Sequence, residues 1–110
     1  MTVRELAAAL GAEILVEGDD DRAVTGGYCG DLLSWVMGRA QEGDAWITVM
    51  GNVNAIAVAV LADVACILLS DASPLDDEAR ARAEAQEVAV LRSDANSYTL
   101  AVRLGELLRE

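Results

Sequence analysis

Apolar and polar positions alternate along this chain in two rhythms, one helical and one of short strands. Val3, Leu6, Ala7 and Leu10 recur at i, i+3, i+4 and i+7 behind a Thr2-x-x-Glu5 capping box, which predicts a short amphipathic helix ending at Gly11. Ala12 to Val16 reads as a strand, closed by Glu17-Gly18 and the acidic run Asp19-Asp20-Asp21. Leu32, Leu33, Val36 and Met37 predict a helix from about Asp31 to Arg39, with Asp31 as its N-cap. After a Gly43-Asp44 turn, Ala45 to Met50 is strand-like. Val53 to Ala62 is a helix apolar almost all round, and Ala65 to Leu69 is a continuously apolar strand of the fully buried kind. Ser73, with Asp76 three residues on, is expected to cap a polar helix reaching about Gln86, laced by Asp76–Arg80 and Glu78–Arg82 pairs in the favourable i, i+4 order. Val88 to Leu91 is a short buried strand, and Asn96 to Leu108 is a last amphipathic helix burying Leu100, Ala101, Leu104, Leu107 and Leu108.

From residue 45 onward strands and helices alternate. Short buried strands in that rhythm imply a mostly parallel sheet with right-handed crossovers and helices on both faces, a small three-layer α/β/α domain. The length of 110 residues suits one domain, residues 1–110. Few charges fall between Ile47 and Leu69, but Gly51, Asn52, Asn54 and Asp63 interrupt the run, so it reads as a buried strand-helix-strand unit and not as a membrane span.

Composition narrows the chemistry. The formal net charge is −11, and the eight basic residues are scattered arginines. Nucleic acid and anionic membranes, which need clustered basic surface, are not expected as partners. Histidine and lysine are both absent, which removes imidazole bases, lysine Schiff bases and the lysine of a phosphate-binding loop. No basic n-region with an apolar core opens the sequence, so a cytoplasmic location and no structural disulfide are expected for Cys29 and Cys66. Cys66, in an apolar run, reads as a small buried hydrophobe; Cys29 falls among glycines, where a structural place outweighs a redox role.

The densest signal is Asp21-Arg22-Ala23-Val24-Thr25-Gly26-Gly27-Tyr28-Cys29-Gly30-Asp31. Its glycines are spaced neither as G-x-G-x-x-G nor as G-x-x-x-x-G-K-[ST], so it is read as a structural turn into the following helix. Arg22 is expected to be tied to Asp19, Asp21 or Asp31, the alternative being a bound anion. Open parallel sheets bind ligands beyond the carboxyl ends of their strands. Three polar loops leave such ends at helix N-termini: Gly51-Asn52-Val53-Asn54, Ser70-Asp71-Ala72-Ser73 and Arg92-Ser93-Asp94-Ala95-Asn96. Each also has a plain capping explanation, through Asn52, Ser73, and Asp94 or Asn96. The candidate ligand-binding residues are Asn52, Asn54, Ser70, Asp71, Ser93 and Asp94, with Thr25 and Gly26 joining them. No catalytic residue, metal ligand or cofactor is assigned. A hydrolase built on Asp19-Asp20-Asp21 and Asp31 is the weakest reading, because a solvated acidic loop explains those residues.

Asp21-Arg22, Thr25-Gly26-Gly27-Tyr28, Asp31-Leu32-Leu33-Ser34, Gly43-Asp44-Ala45-Trp46-Ile47-Thr48, Asn52 to Ala59 and Leu91-Arg92-Ser93-Asp94 together resemble the DRTGG domain family, in particular its short stand-alone members in bacteria and archaea. The resemblance covers nearly the whole chain. It implies a fold similar to the N-terminal domain of HPr kinase/phosphorylase, and a regulatory or ligand-sensing duty, since related domains accompany CBS domains and phosphotransacetylases. Stand-alone members are sometimes labelled HPr serine kinases; this chain departs from that activity, having no phosphate-binding loop, no lysine and no room for a catalytic domain. The expectation is therefore a non-enzymatic regulatory domain binding a small anionic ligand or nucleotide, as a homodimer in which the Val53–Ala62 helix, Trp35 or Trp46 meets the second copy. The rival is an adaptor docking on a larger enzyme without a small ligand.

Overall fold

The computed structural model describes residues 1–109. In chain order the elements are α1 (Val3–Leu10), β1 (Glu13–Val16), β2 (Gly26–Cys29), α2 (Leu33–Arg39), β3 (Asp44–Thr48), α3 (Val53–Ala62), β4 (Cys66–Leu69), α4 (Asp77–Gln86), β5 (Val90–Arg92) and α5 (Ser97–Leu108). The strands form one sheet in the order β1-β5-β4-β3-β2, parallel throughout except for β1, which runs antiparallel to β5. This is the α/β architecture with a mostly parallel sheet that the strand-helix rhythm predicts.

Alternation along the buried strands builds two cores. Ala45, Ile47, Cys66, Leu68 and Leu91 face α1 and α5, meeting Leu6, Leu10, Leu100 and Leu104. Trp46, Ile67, Leu69 and Val90 face the other way, against Val36, Ile56, Ala59, Ala79 and Ala83 of α2, α3 and α4. Alanines on α3 and α4 leave no bulk between helix and sheet, which is how an alanine-rich chain reaches close packing.

Local cap chemistry holds where it is self-contained. Thr2 and Glu5 close the capping box of α1, and Asn52 and Asn96 accept the amides of Ala55 and Thr99, each at 2.9 Å. Two predicted caps are corrected. The α4 cap is Asp76, 2.8 Å from the Ala79 amide, while the Ser73 hydroxyl donates back to the Ser70 carbonyl. Asp31 does not cap α2, whose N-cap is Leu32 with no side-chain bond; the carboxylate is drawn instead to the exit of β3. Nor do the expected α4 ion pairs form among the described residues: Arg80 donates to the Leu15 carbonyl at 2.7 Å, satisfying a backbone oxygen of β1.

The glycine box departs most from expectation. Gly26–Cys29 is the edge strand β2, paired in parallel with β3, where a turn was expected. At position 27 a Cβ would stand 2.5 Å from Leu104 Cδ2 of α5, so a larger residue requires that leucine side chain to shift. The Arg22 guanidinium binds none of the three expected aspartates, although the residue's backbone amide donates to the Asp19 carbonyl at 3.1 Å. It reaches Asp63 at the end of α3, with Nη1 2.8 Å from the carboxylate and Nη2 2.8 Å from the backbone oxygen. Trp46 is fully buried, its indole N–H donating to the Gly30 carbonyl at 2.9 Å, so it cannot take part in a contact between copies. Trp35 is exposed, with the Arg39 guanidinium 3.8 Å over its ring. The remaining free face of α3 is apolar, at Ala57, Val60 and Leu61.

Candidate functional site at the carboxyl end of the sheet

Parallel strands β2 to β5 end on the same side, and antiparallel β1 begins there, with Glu13 opposite Arg92. Hydrogen bonds bind the exits into two units. At β2 and β3, Asp31 Oδ1 accepts the Thr48 hydroxyl at 2.7 Å and the Val49 amide at 3.0 Å, and Thr48 Oγ1 accepts the Met50 amide. At β4 and β5, the Asp71 amide donates to the Ala95 carbonyl at 2.9 Å and the Ala72 amide to the Ser93 carbonyl at 2.8 Å. Beneath them the buried Ser70 hydroxyl meets that of Ser97 at 3.0 Å.

Between β1 and this second unit opens a polar cleft of about 400 Å³ lined by Gly11, Glu13, Ala72, Arg92, Ser93 and Asp94. Arg92 Nη2 lies 3.0 Å from Glu13 Oε1, with both side chains partly exposed. Charge on the lining is thus one guanidinium against two carboxylates, and an anion entering here shares Arg92 with Glu13, which engages only Nη2. On the rim, Asp71 and Ala72 are consecutive non-glycine residues in the left-handed region, with φ of 55° and 53°. Such backbone costs on the order of 1 kcal/mol or more per residue and persists only where its surroundings over-determine it.

Of the eight residues predicted to bind ligand, Ser93 and Asp94 line the cleft. Asp71 belongs to the loop that forms its rim. Ser70 lies buried below, committed to Ser97. Asn52 caps α3, and Asn54 is exposed on the first turn of that helix; both sit at the β3 exit and outside the cleft. Thr25 and Gly26 are not brought into the group. They stand at the opposite end of the sheet, where the Thr25 amide donates to Gly43 and Gly26 pairs with Asp44. Ala72 and Arg92 line the cleft from within the predicted loops without having been singled out, and Gly11 and Glu13 lay outside every predicted loop. The place of Gly11 and Glu13 depends on the antiparallel pairing of β1 with β5, for which local sequence carries no signal.

Other chemistry is sparse. Among the described residues no group of three or more His, Cys, Asp or Glu side chains could hold a metal ion. Asp31 and the Asp19–Asp21 loop lie at opposite ends of the sheet, which removes the paired-carboxylate reading. Both cysteines are free. Burial and then the Asp31 carboxylate push the Cys29 thiol above its ordinary value, the opposite of activation. Complete burial, with Asp20 adding to it and Arg22 opposing, pushes Cys66 up to about 12. No helix among the described residues is long and apolar enough to cross a membrane.

The sequence profile of the DRTGG domain matches residues 5–107. Among solved structures, the fold is similar to the crystal structure of the CBS and DRTGG domains of the regulatory region of Clostridium perfringens pyrophosphatase, complexed with its activator diadenosine tetraphosphate. The TM-score is 0.73 at 13% identity, and the match covers 94% of this chain and 45% of that one. This chain therefore spans less than half the length of that structure. No curated protein matches the sequence.

Proposed function

The chain belongs to the DRTGG domain family, and on that premise we propose that it is a non-enzymatic regulatory domain that senses a small anionic ligand or nucleotide, acting as a homodimer. The observation that carries the reading is the polar cleft at the carboxyl end of the sheet, where Arg92, Ser93 and the strained Asp71-Ala72 rim converge. Open α/β sheets hold ligands at that end because strand exits and helix N-termini turn backbone N–H groups toward one crevice. The similar fold in a regulatory region complexed with a dinucleoside polyphosphate supports the same ligand class. An anion has to overcome Glu13, Asp94 and a net charge of −11, so its binding depends on Arg92.

The test is thermal unfolding of the full chain with mononucleotides, diadenosine polyphosphates and inorganic phosphate. A ligand at 100 times its dissociation constant stabilises by ~2.7 kcal/mol, a rise on the order of 10 °C for a domain of this size. Arg92→Gln is expected to abolish that rise. No response from wild type across the panel, or an undiminished response in Arg92→Gln, defeats the reading.

The adaptor reading rests on a different observation: Ile56, Ala57, Val60 and Leu61 of α3 form, with Arg82 and Gln86, an apolar cleft of about 290 Å³ suited to a partner protein. Leu61→Glu tests it, by abolishing attachment to an enzyme partner while leaving any ligand response intact.

A further inference from the structure

The two edges of the sheet are treated differently. Outer strand β1 is closed to further pairing: its register shifts between Ile14 and Val16, Arg80 occupies the Leu15 carbonyl, and Glu13 and Glu17 flank it. Such bulges, charges and occupied carbonyls are the usual protection of an edge. The opposite edge, β2, has none of them. Gly26-Gly27-Tyr28-Cys29 carries no charge, no proline and no bulge. The Thr25 amide points inward to the Gly43 carbonyl, so strand alternation turns the N–H and C=O of Gly26 and Tyr28 outward.

The cleft beside that edge has no charged side chain in its lining, and charge on α5 begins further round, at the exposed Glu106 and Arg109. One apolar cleft of about 200 Å³ lies between β2 and α5, lined by Gly27, Cys29, Ile47, Ala101, Leu104, Gly105 and Leu108. A second cleft, of about 360 Å³ and more polar, continues from Leu107 and Leu108 to Met1, Val24 and Thr25. Tyr98 and Val102 of α5 are exposed along the same flank. Gly105 sharpens the point. A glycine inside a helix weakens it, and a Cβ at this position would meet nothing within 4 Å, so packing within the chain does not require the small residue.

We propose that β2 is the dimer edge: two copies pair their β2 strands antiparallel about a two-fold axis, making one ten-stranded sheet. The α5 helices then lie side by side, in close approach at Ala101 and Gly105. The proposal rests on the homodimer reading above and assigns it a surface. A second copy is the fitting occupant because an antiparallel pair of identical edges is self-complementary. It also fits the charge: with a net charge of −11, two copies repel wherever acidic faces meet, and the β2 strand and the lining of its cleft carry no carboxylate, Glu106 standing exposed beyond them.

Sedimentation velocity of the full chain across roughly 1–100 μM protein, which spans micromolar dissociation constants, tests it. Wild type is expected to sediment as a dimer, and Gly105→Glu, which improves helix propensity and meets no intrachain clash, to weaken dimerisation at least tenfold with an unchanged helical circular dichroism spectrum. Val102→Arg is expected to act in the same direction. Leu61→Glu, on the far face, should leave the dimer intact, and the amides of Gly26 and Tyr28 should gain exchange protection as protein concentration rises. A dimer that survives Gly105→Glu and Val102→Arg but is lost in Leu61→Glu overturns the β2 assignment while keeping the homodimer. A wild-type monomer throughout the range overturns both.

Discussion

Replacing Arg22 by methionine keeps the aliphatic stem and removes only the guanidinium. That group makes three contacts at the end of α3: the Asp63 carboxylate at 2.8 Å, the Asp63 carbonyl at 2.8 Å and the Val64 carbonyl at 3.4 Å. The carboxylate is 60% exposed, so its ion pair with Arg22 is worth ~0–1 kcal/mol. A charge-assisted bond to a carbonyl contributes more, ~1.5–3 kcal/mol, and here the lower end applies because the Asp63 carbonyl also holds the Gly43 amide. The long contact to Val64 adds little. Arg22→Met is therefore expected to cost about 2 kcal/mol, a fall in Tm on the order of 10 °C. Asp63→Asn removes only the ionic part and keeps a residue that tolerates the left-handed φ of 57°, so it should cost less than about 1 kcal/mol. Urea unfolding followed by circular dichroism separates the two. In ~1 M NaCl, where screening acts within about 3 Å, the Asp63→Asn cost should disappear and most of the Arg22→Met cost should remain. Equal costs that both vanish in salt would refute the clamp and reduce Arg22 to an exposed ion pair.

Two further outcomes follow from the geometry. At Gly51 a Cβ would overlap the Pro74 carbonyl and approach Leu75 Cα, all backbone, so Gly51→Ala should destabilise by about 3 kcal/mol; at Gly38, inside α2 with open space around it, alanine should stabilise by about 0.5–1 kcal/mol, and urea midpoints of the same sign would contradict the packing described. Cys66 remains a thiol in the folded chain up to about pH 12 but ionises near the ordinary thiol value of 9.0 when unfolded, so its contribution is intact below about pH 9 and is lost as pH climbs from there toward 12, at up to about 1.4 kcal/mol per unit. Wild type should lose stability faster than Cys66→Ala between pH 9 and 11, and an aromatic disulfide reagent at pH 8 should modify Cys29 well before Cys66; parallel pH profiles would show that burial does not govern this thiol.

Legibility in the sequence followed the range of each interaction. Thr2 with Glu5, Asn52 and Asn96 were readable as caps because each bonds an amide three residues away, within one turn of its own helix. Asp31 was misread as a cap because Thr48 and Val49, seventeen and eighteen residues on, compete for the same carboxylate. Ser73 lost its role to Asp76 in the same way, its hydroxyl being taken by the Ser70 carbonyl where β4 turns away. In the candidate site, Ser93 and Asp94 were found from the rule that strand exits bind ligands. Glu13 escaped, since only the pairing with β5 sets it beside Arg92.

The glycine box divides along the same line. By itself the sequence determined the strand-helix alternation, the apolar strands at the centre of the sheet, the acidic and lysine-free composition and the family signature, because each is written in local spacing or in residue counts. Tertiary structure decided that Gly26-Gly27-Tyr28-Cys29 is a strand, since its glycines answer to Leu104 and Asp44, distant in sequence and close in space. It also decided that Arg22 clamps α3, that Trp46 is sealed inside, and that Thr25 and Gly26 stand at the far end of the sheet from Ser93 and Asp94. A residue's partner across the fold is chosen by which strands become neighbours, and that order is settled only when all five strands assemble.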